Sequence, residues 1–334
     1  MSLILEAQLA NLEFHEIPIL DFSVLSEPVN LQTAALREAL VVQIRDACVR
    51  VGFFYVKNHG VAETVTNGLL TAMRQYFDRP LDEKMELSSA HVNNDLLPRG
   101  YMPVFDGHVG DEGGSDLLEA FFWGFRRGNE ETHQWPESQD MQEFRAAALA
   151  YYQAVTGLGD ELFRLIAESL ALPPNWFEDK TQIGGFLMKS VCYPPQSPAE
   201  LEDAANTTLG LGTHIDWLVF TILWQQPGLQ ALEVLSPSGQ WIDAPALPGT
   251  FIVNVAESLT KITNGIYKST KHRVINRAVV LRYSVPTFFG MDYETLLEPI
   301  TSCISPERPP QYEVITVGED LRRKVAAGYV EGSY

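Results

Sequence analysis

Cysteine is scarce in this chain. Cys48, Cys192 and Cys303 stand far apart, odd in number and without a CxxC spacing. That pattern excludes a disulfide framework and a zinc knuckle, and it implies a reducing compartment. Long apolar runs are also missing, so no segment is expected to span a bilayer. The opening MSLILEAQLANLEF lacks the basic segment of a secretory signal, and the closing VEGSY matches no lipidation or retention signal. The expectation is a cytoplasmic protein with no membrane partner. Positive charge is in short supply: Lys and Arg number 24 against 43 Asp and Glu, a net charge of -19. A phosphate backbone is repelled by such a balance. The densest basic cluster, Arg322, Arg323 and Lys324, reads as a solvated helix face, so no nucleic-acid partner is expected. Four signatures are absent as well: GxxxxGK[ST], a GxGxxG between strand and helix, the GxSxG elbow, and HExxH. P-loop, dinucleotide, serine-hydrolase and zinc-peptidase chemistries therefore have no support.

What the chain does have is ordinary globular composition, with 46% apolar and 10% aromatic residues over 334 positions. That suffices for a sizeable core in one large or two ordinary domains. IPILDF (17–22) reads as a first strand, residues 33–50 as a helix stopped by Gly52, and FFYVK as a second strand turning at Asn58-His59-Gly60. Helices are expected over about 62–77 and 142–172, the latter ending before Pro173-Pro174, with Pro80 opening another between them. GHVGDEGGSD (107–116) reads as a loop, either a lid or a solvated surface segment. Beyond residue 180 short apolar runs alternate with turn residues: GFLMKSVCY, VFTILWQ, QALEVL, TFIVNVA, HRVIN and VVLRYSVPTFF. Strands at that density predict a sandwich or barrel. The expected division is a helix-rich region 1–180, a β core 181–300 and an extension 301–334 whose helix begins near Glu319.

Seven histidines are candidate ligands. His214 stands two residues before Asp216 ahead of a strand-like run, and on a strand such residues share a face. An imidazole beside a carboxylate supplies two ligands of the two-His, one-carboxylate set of non-haem iron(II), and His272 at another strand start could supply the third. The competing reading is a histidine capping a loop beside a strand carboxylate. Downstream, Arg282 and Ser284 lie in an otherwise apolar strand, on one face with Val280. A guanidinium aimed into a barrel is costly unless an anion meets it. A bound dicarboxylate, gripped by Arg282 and Ser284, would serve; so would a structural ion pair with a distant acid.

These residues resemble the iron(II)- and 2-oxoglutarate-dependent dioxygenases of the isopenicillin N synthase-like group. The resemblance also rests on GFFYVKNHGV (52–61), YFDRPLDEKM (76–85), Arg99-Gly100-Tyr101, YPP (193–195), Gly228-Leu229-Gln230 and TNGIYKSTKHRV (263–274). It runs from about residue 17 to 299. It implies an α+β fold, a distorted double-stranded β-helix or jelly roll flanked by helices. It implies iron(II) on His214, Asp216 and His272, and 2-oxoglutarate held by Arg282, Ser284 and Tyr193. With O2, such an enzyme takes hydrogen from a C–H bond of a small organic substrate, giving hydroxylation, desaturation or ring formation alongside succinate and CO2. A specialised metabolite is the expected substrate, by analogy with the group. Arg99, Tyr101, Phe121, Phe122 and Trp123 are implied as substrate contacts, and Trp217 either lines the pocket or packs beneath it. Val191, Cys192 and Ala256-Glu257 depart from the group's usual residues and leave the substrate open. Two rival expectations are an iron oxidase of the same fold without 2-oxoglutarate, and a binding protein without turnover.

Overall fold

The computed structural model describes residues 3–9, 12–89, 98–104, 116–126, 130–131, 135, 138–182, 187–197 and 209–326. After α1 (Leu3–Leu9) and β1 (Ile19–Asp21), α2 (Leu31–Arg50) starts on a capping box. The Asn30 side chain accepts from the backbone N–H of Gln32 and Thr33, and Thr33 Oγ1 accepts from Asn30 N at 2.8 Å. α2 ends where Gly52 takes φ +74°, and a Cβ there would sit 2.0 Å from Lys268 O. Only glycine allows both the turn and that approach. β2 (Phe53–Lys57) follows, and Asn58 in the left-handed region closes its turn by donating to Asp21 Oδ1 at 2.9 Å. His59 belongs to the same turn: its Nδ1 accepts from Val61 N, and its ring packs edge-on to Phe251.

Next come α3 (Glu63–Phe77), α4 (Leu81–Met85), β3 (Gly100–Met102), β4 (Glu119–Trp123), β5 (Phe125–Arg126), β6 (Glu130–Glu131) and α5 (Gln139–Ser169). The remaining elements are β7 (Leu187–Tyr193), β8 (Leu211–His214), β9 (Phe220–Gln225), β10 (Leu232–Leu235), β11 (Trp241–Asp243), β12 (Thr250–Val255), α6 (Glu257–Ile262), β13 (His272–Val274), β14 (Arg282–Phe289) and α7 (Val317–Lys324). The large sheet has the order β1-β2-β12-β9-β14-β7-β4-β3 and the smaller one β11-β10-β13-β8. The ladders are antiparallel except β1 on β2. Residues 1–180 thus contribute strands to both edges of the large sheet as well as helices.

Strand parity divides the core in two. Phe220, Ile222, Val253, Val285, Phe289, Phe121 and Trp123 join buried residues of α2, α3 and α5. Gly159 lets α5 lie close on β14, since a Cβ there would meet the Phe289 ring at 2.0 Å. The opposite set, including Phe53, Ile252, Ala120, Phe122, Val191 and Tyr193, meets Leu232, Val234 and Val274 of the smaller sheet. The result is a jelly roll, a distorted double-stranded β-helix, with helices against one outer face.

Three expectations need correction. The long helix spans 139–169, three residues earlier at each end than its pattern suggests. Asp216 lies beyond the end of β8, so it does not share a strand with His214. Val280 is outside β14, and Val279, Val280 and Leu281 are exposed. The reason is pairing: Arg282 is opposite Tyr193, where β7 ends, so the preceding apolar residues have no ladder to join. Of the 107–116 loop only Asp116 is among the described residues; His91, His108 and His133 also lie outside them.

Candidate active site

The pocket between the sheets is built by parity. β7 contributes Lys189, Val191 and Tyr193; β9 contributes Thr221, Leu223 and Gln225; β14 contributes Arg282, Ser284, Pro286 and Phe288. His214, Asp216, Asn254 and His272 complete its polar lining.

His214 and His272 face each other across the β8–β13 ladder, with ring centroids 4.2 Å apart. Each ring is fixed through Nδ1, which donates to Gly212 O at 2.7 Å in His214 and to Thr270 O at 3.1 Å in His272. That tautomer turns both Nε2 lone pairs inward, the arrangement a metal needs. Asp216 Oδ1 lies 3.6 Å from His214 Nε2 and 3.8 Å from His272 Nε2. The three ligand atoms fall within 4.8 Å of one another, the one such cluster found among the described residues. Asp216 Oδ2 accepts from Asn254 Nδ2 at 2.7 Å and from Thr221 Oγ1, so only Oδ1 is left to turn inward. Its main chain is held too, since Glu257 N at the start of α6 donates to Asp216 O at 2.9 Å. Burial favours the neutral carboxyl, but the two imidazoles and the two side-chain donors outweigh it and hold Asp216 below the usual carboxylate range. Burial, reinforced by His272, pushes His214 down to about 3, so its imidazole is neutral and able to ligate at neutral pH.

The other end of the pocket is cationic. Arg282 is only 1% exposed. Its Nη2 donates to Gln225 Oε1 at 2.8 Å, and the guanidinium lies 4.6 Å from the centre of the Tyr193 ring. Nε and Nη1 are buried with no hydrogen-bond partner. Orphaned donors on a buried cation are costly, and a carboxylate brought by a ligand would supply an acceptor to that guanidinium. No acidic side chain among the described residues forms an ion pair with Arg282, so the alternative of a structural pair has no support there. Burial lowers the Arg282 pKa, which Tyr193 partly opposes. β9 connects the two ends. Thr221 reaches Asp216 and Gln225 reaches Arg282, four residues and about 13 Å apart along one strand face. Both donor sets therefore fit their groups: two imidazoles and a carboxylate for iron(II), and an unsatisfied guanidinium beside Ser284 and Tyr193 for a dicarboxylate.

The aromatic substrate candidates are placed differently. Tyr101, Phe121 and Trp123 lie on the helix-facing side of the sheet. Tyr101 OH donates to Glu119 Oε2 at 2.6 Å, where Lys84 Nζ also bonds. Phe121 packs among Tyr76, Trp135 and Phe144, and Trp123 Nε1 donates to Ser190 Oγ at 2.9 Å. Their parity along β3 and β4 points them away from the pocket; of the aromatic candidates on those strands Phe122 alone joins the inner core. Arg99 is buried, with Nη1 bonded to Pro98 O, and does not line the pocket. Trp217 packs against the helical core with Lys324 Nζ 5.6 Å from its ring centre, the second of its two readings. Among the departures, Val191 lines the pocket and Cys192 faces the helices. Sequence reasoning missed Thr221, Gln225, Asn254 and Lys189. The signal for Lys189 was present: a lone lysine inside the apolar run GFLMKSVCY.

A family model described as "non-haem dioxygenase in morphine synthesis N-terminal" matches residues 17–140, and the 2OG-Fe(II) oxygenase superfamily model matches 185–291. The 2-oxoglutarate-Fe(II) type oxidoreductase hxnY of Emericella nidulans is 31% identical over 326 residues, covering 93% of this chain and 90% of that protein. Homoarginine-6-hydroxylase 2-ODD-C23 of Glycine max is 30% identical over 333 residues, covering 96% and 99%. The crystal structure of a full-length Neurospora crassa protein in complex with alpha-KG superposes with a TM-score of 0.81 at 25% identity, covering 94% and 96% of the two chains. The same Neurospora protein has been solved with alpha-KG and thymine, at a TM-score of 0.80, 25% identity and coverage of 94% and 97%.

Proposed function

The chain belongs to the 2OG-Fe(II) oxygenase superfamily, and from that premise we propose that His214, Asp216 and His272 hold its iron(II), while Arg282, Ser284 and Tyr193 hold its 2-oxoglutarate. The observation that carries this assignment is one pocket with a metal-ligand cluster at one end and two orphaned guanidinium donors at the other. Iron(II) bound there, with O2 and 2-oxoglutarate, supplies the oxidising power that removes a substrate hydrogen, as the cosubstrate goes to succinate and CO2.

The chain's own residues bind, orient and exclude water. Gly212 O and Thr270 O fix the imidazole tautomers; Asn254 and Thr221 fix the Asp216 carboxylate. Arg282 would take the distal carboxylate of 2-oxoglutarate, with Ser284 beside it, while Gln225 and the Tyr193 ring keep the guanidinium in place. Val191, Leu223, Leu232, Val274 and Phe288 dry the space between. The substrate is a small organic molecule: the relatives differ in theirs, thymine being bound by one and homoarginine hydroxylated by another, and the pocket is enclosed between two sheets. A specialised metabolite fits this setting, with hydroxylation, desaturation and ring formation as the possible outcomes.

The test is an anaerobic titration of iron(II) into the metal-free protein, with and without 2-oxoglutarate, read by the visible metal-to-ligand charge-transfer band. The band is expected to need both additions, to vanish in His272→Ala and to weaken in Arg282→Ala. Iron binding by His272→Ala equal to that of the wild type would overturn the ligand assignment.

A further inference from the structure

A second buried cation lines the pocket and has no task in the reaction described above. Lys189 lies on β7 and is only 7% exposed. Its Nζ stands 5.1 Å from the centre of the Phe122 ring on the neighbouring strand. Among the described residues no hydrogen bond or ion pair reaches that ammonium, although it lines the pocket. The acids that act on its charge are Asp116 and Asp216. Both are engaged elsewhere: Asp116 Oδ1 accepts from Gly212 N at 2.9 Å, and Asp216 Oδ2 from Asn254 and Thr221. An ammonium carries three donors, and one that lines a pocket with no acceptor from the described residues can take an acceptor that arrives with a ligand.

Position distinguishes that ligand from the cosubstrate. Tyr193 pairs with Arg282 at one end of the β7–β14 ladder. Lys189 is four residues back on the same strand face, about 13 Å away, beside the Met188–Thr287 pair. One dicarboxylate whose distal end sits on Arg282 has no carboxylate left for Lys189, because its other end is taken up at the His214–Asp216–His272 cluster. We propose that Lys189 is the anchor for an acidic substrate: its ammonium binds the carboxylate of a small organic acid, and Phe122 and Pro286 flank the apolar part. The inference rests on the iron and 2-oxoglutarate assignment made above. It makes Lys189 a specificity residue, because the fixed distance from the ammonium to the metal cluster selects which C–H bond is presented.

The experiment uses the anaerobic protein loaded with iron(II) and 2-oxoglutarate. The probes are benzoate, phenylacetate and nicotinate, each paired with its neutral amide, and binding is measured by equilibrium dialysis. The wild type is expected to bind at least one acid ten-fold or more tighter than its amide. Lys189→Met is expected to abolish that preference while leaving the charge-transfer band and the 2-oxoglutarate affinity as they were; Lys189→Arg is expected to keep the preference. The unchanged band also shows that each variant is folded around its site. Three results would overturn the proposal: no acid preferred over its amide by the wild type, an acid-to-amide ratio unchanged in Lys189→Met, or a loss of 2-oxoglutarate binding in Lys189→Met, which would make Lys189 a cosubstrate residue. Failure of the underlying assignment reads differently, as a wild type that develops no band at all.

Discussion

The two faces of the large sheet are made by the same strands and obey opposite rules. On the outer face, Trp123, Phe121, Phe220, Val285 and Phe289 are closed against helices, and the buried Trp123 indole finds its partner in Ser190. On the inner face, one residue along, stand Lys189, Arg282, Asn254, Thr221 and Gln225 around open space, with Arg282 donors left unsatisfied. Packing decides the first face and ligand chemistry the second. A fold can carry unpaired buried charge only where something else supplies stability, and here the helix-covered face does so. Substitutions one residue apart should therefore separate function from stability.

The largest effect is expected on the inner face. His272→Ala removes a proposed metal ligand and should reduce iron binding and turnover to background, with the melting temperature of the metal-free protein little changed. Dialysis against iron(II) followed by metal analysis checks it. The mirror case is Trp123→Ala. It deletes the largest fully buried side chain of β4 and should lower stability by about 3–5 kcal/mol in urea unfolding. The fraction still folded should keep its 2-oxoglutarate affinity. A Trp123→Ala protein that folds normally and loses 2-oxoglutarate binding would collapse the distinction between the faces.

Arg282→Met tests the sign. On the proposed assignment it weakens 2-oxoglutarate binding by about 100-fold or more, since a buried charge-paired contact is lost. It also removes two orphaned donors from the interior, so the metal-free protein should be as stable as the wild type or more so. Calorimetric titration with 2-oxoglutarate and a melting curve on the same sample give both halves. Lys189→Met extends the idea to pH. Burial, opposed by Asp116 and Asp216, brings the Lys189 pKa down from 10.5 to about 8. The folded state then resists a proton that the unfolded chain accepts, so wild-type stability falls as pH drops from about 10.5 to 8. Lys189→Met should be more stable than wild type by about 3 kcal/mol at pH 7. The gain should shrink through that window and vanish near pH 10.5, as urea unfolding at several pH values would reveal.

The jelly roll and the proposed iron and 2-oxoglutarate residues were legible in the sequence because each has a local signature. Short apolar runs between turn residues marked β7, β9, β10, β12 and β14. HxD, the later histidine and RxS carried the chemistry. What was not legible depended on register. Nothing in RGY or in EAFFW says which alternate residues face inward, and Tyr101, Phe121 and Trp123 fell on the helix side while Phe122 did not. Asn254, 38 residues from Asp216 along the chain, becomes its partner only when β12 pairs with β9. Lys189 is different. It carries the same signal as Arg282, a cation in an apolar strand, and GFLMKSVCY displays it in plain sequence.

Adjacent residues on β12 give the finest test. Asn254 faces the pocket, where its Nδ2 donates to Asp216 Oδ2 at 2.7 Å; Val253 faces the helices and is 1% exposed. Asn254→Ala leaves Thr221 as the remaining side-chain donor to Asp216, so the carboxylate is held less firmly and its pKa moves back toward the ordinary carboxylate value. Loss of an outer-shell hydrogen bond to a metal ligand typically weakens metal binding by about 10- to 100-fold. Iron affinity should fall by that factor in Asn254→Ala, with stability nearly unchanged. Val253→Ala should do the reverse, costing about 2 kcal/mol of stability while iron affinity holds. Equal losses of iron affinity in the two variants would mean that β12 acts on the metal cluster through backbone position, and that the Asn254 hydrogen bond adds nothing of its own.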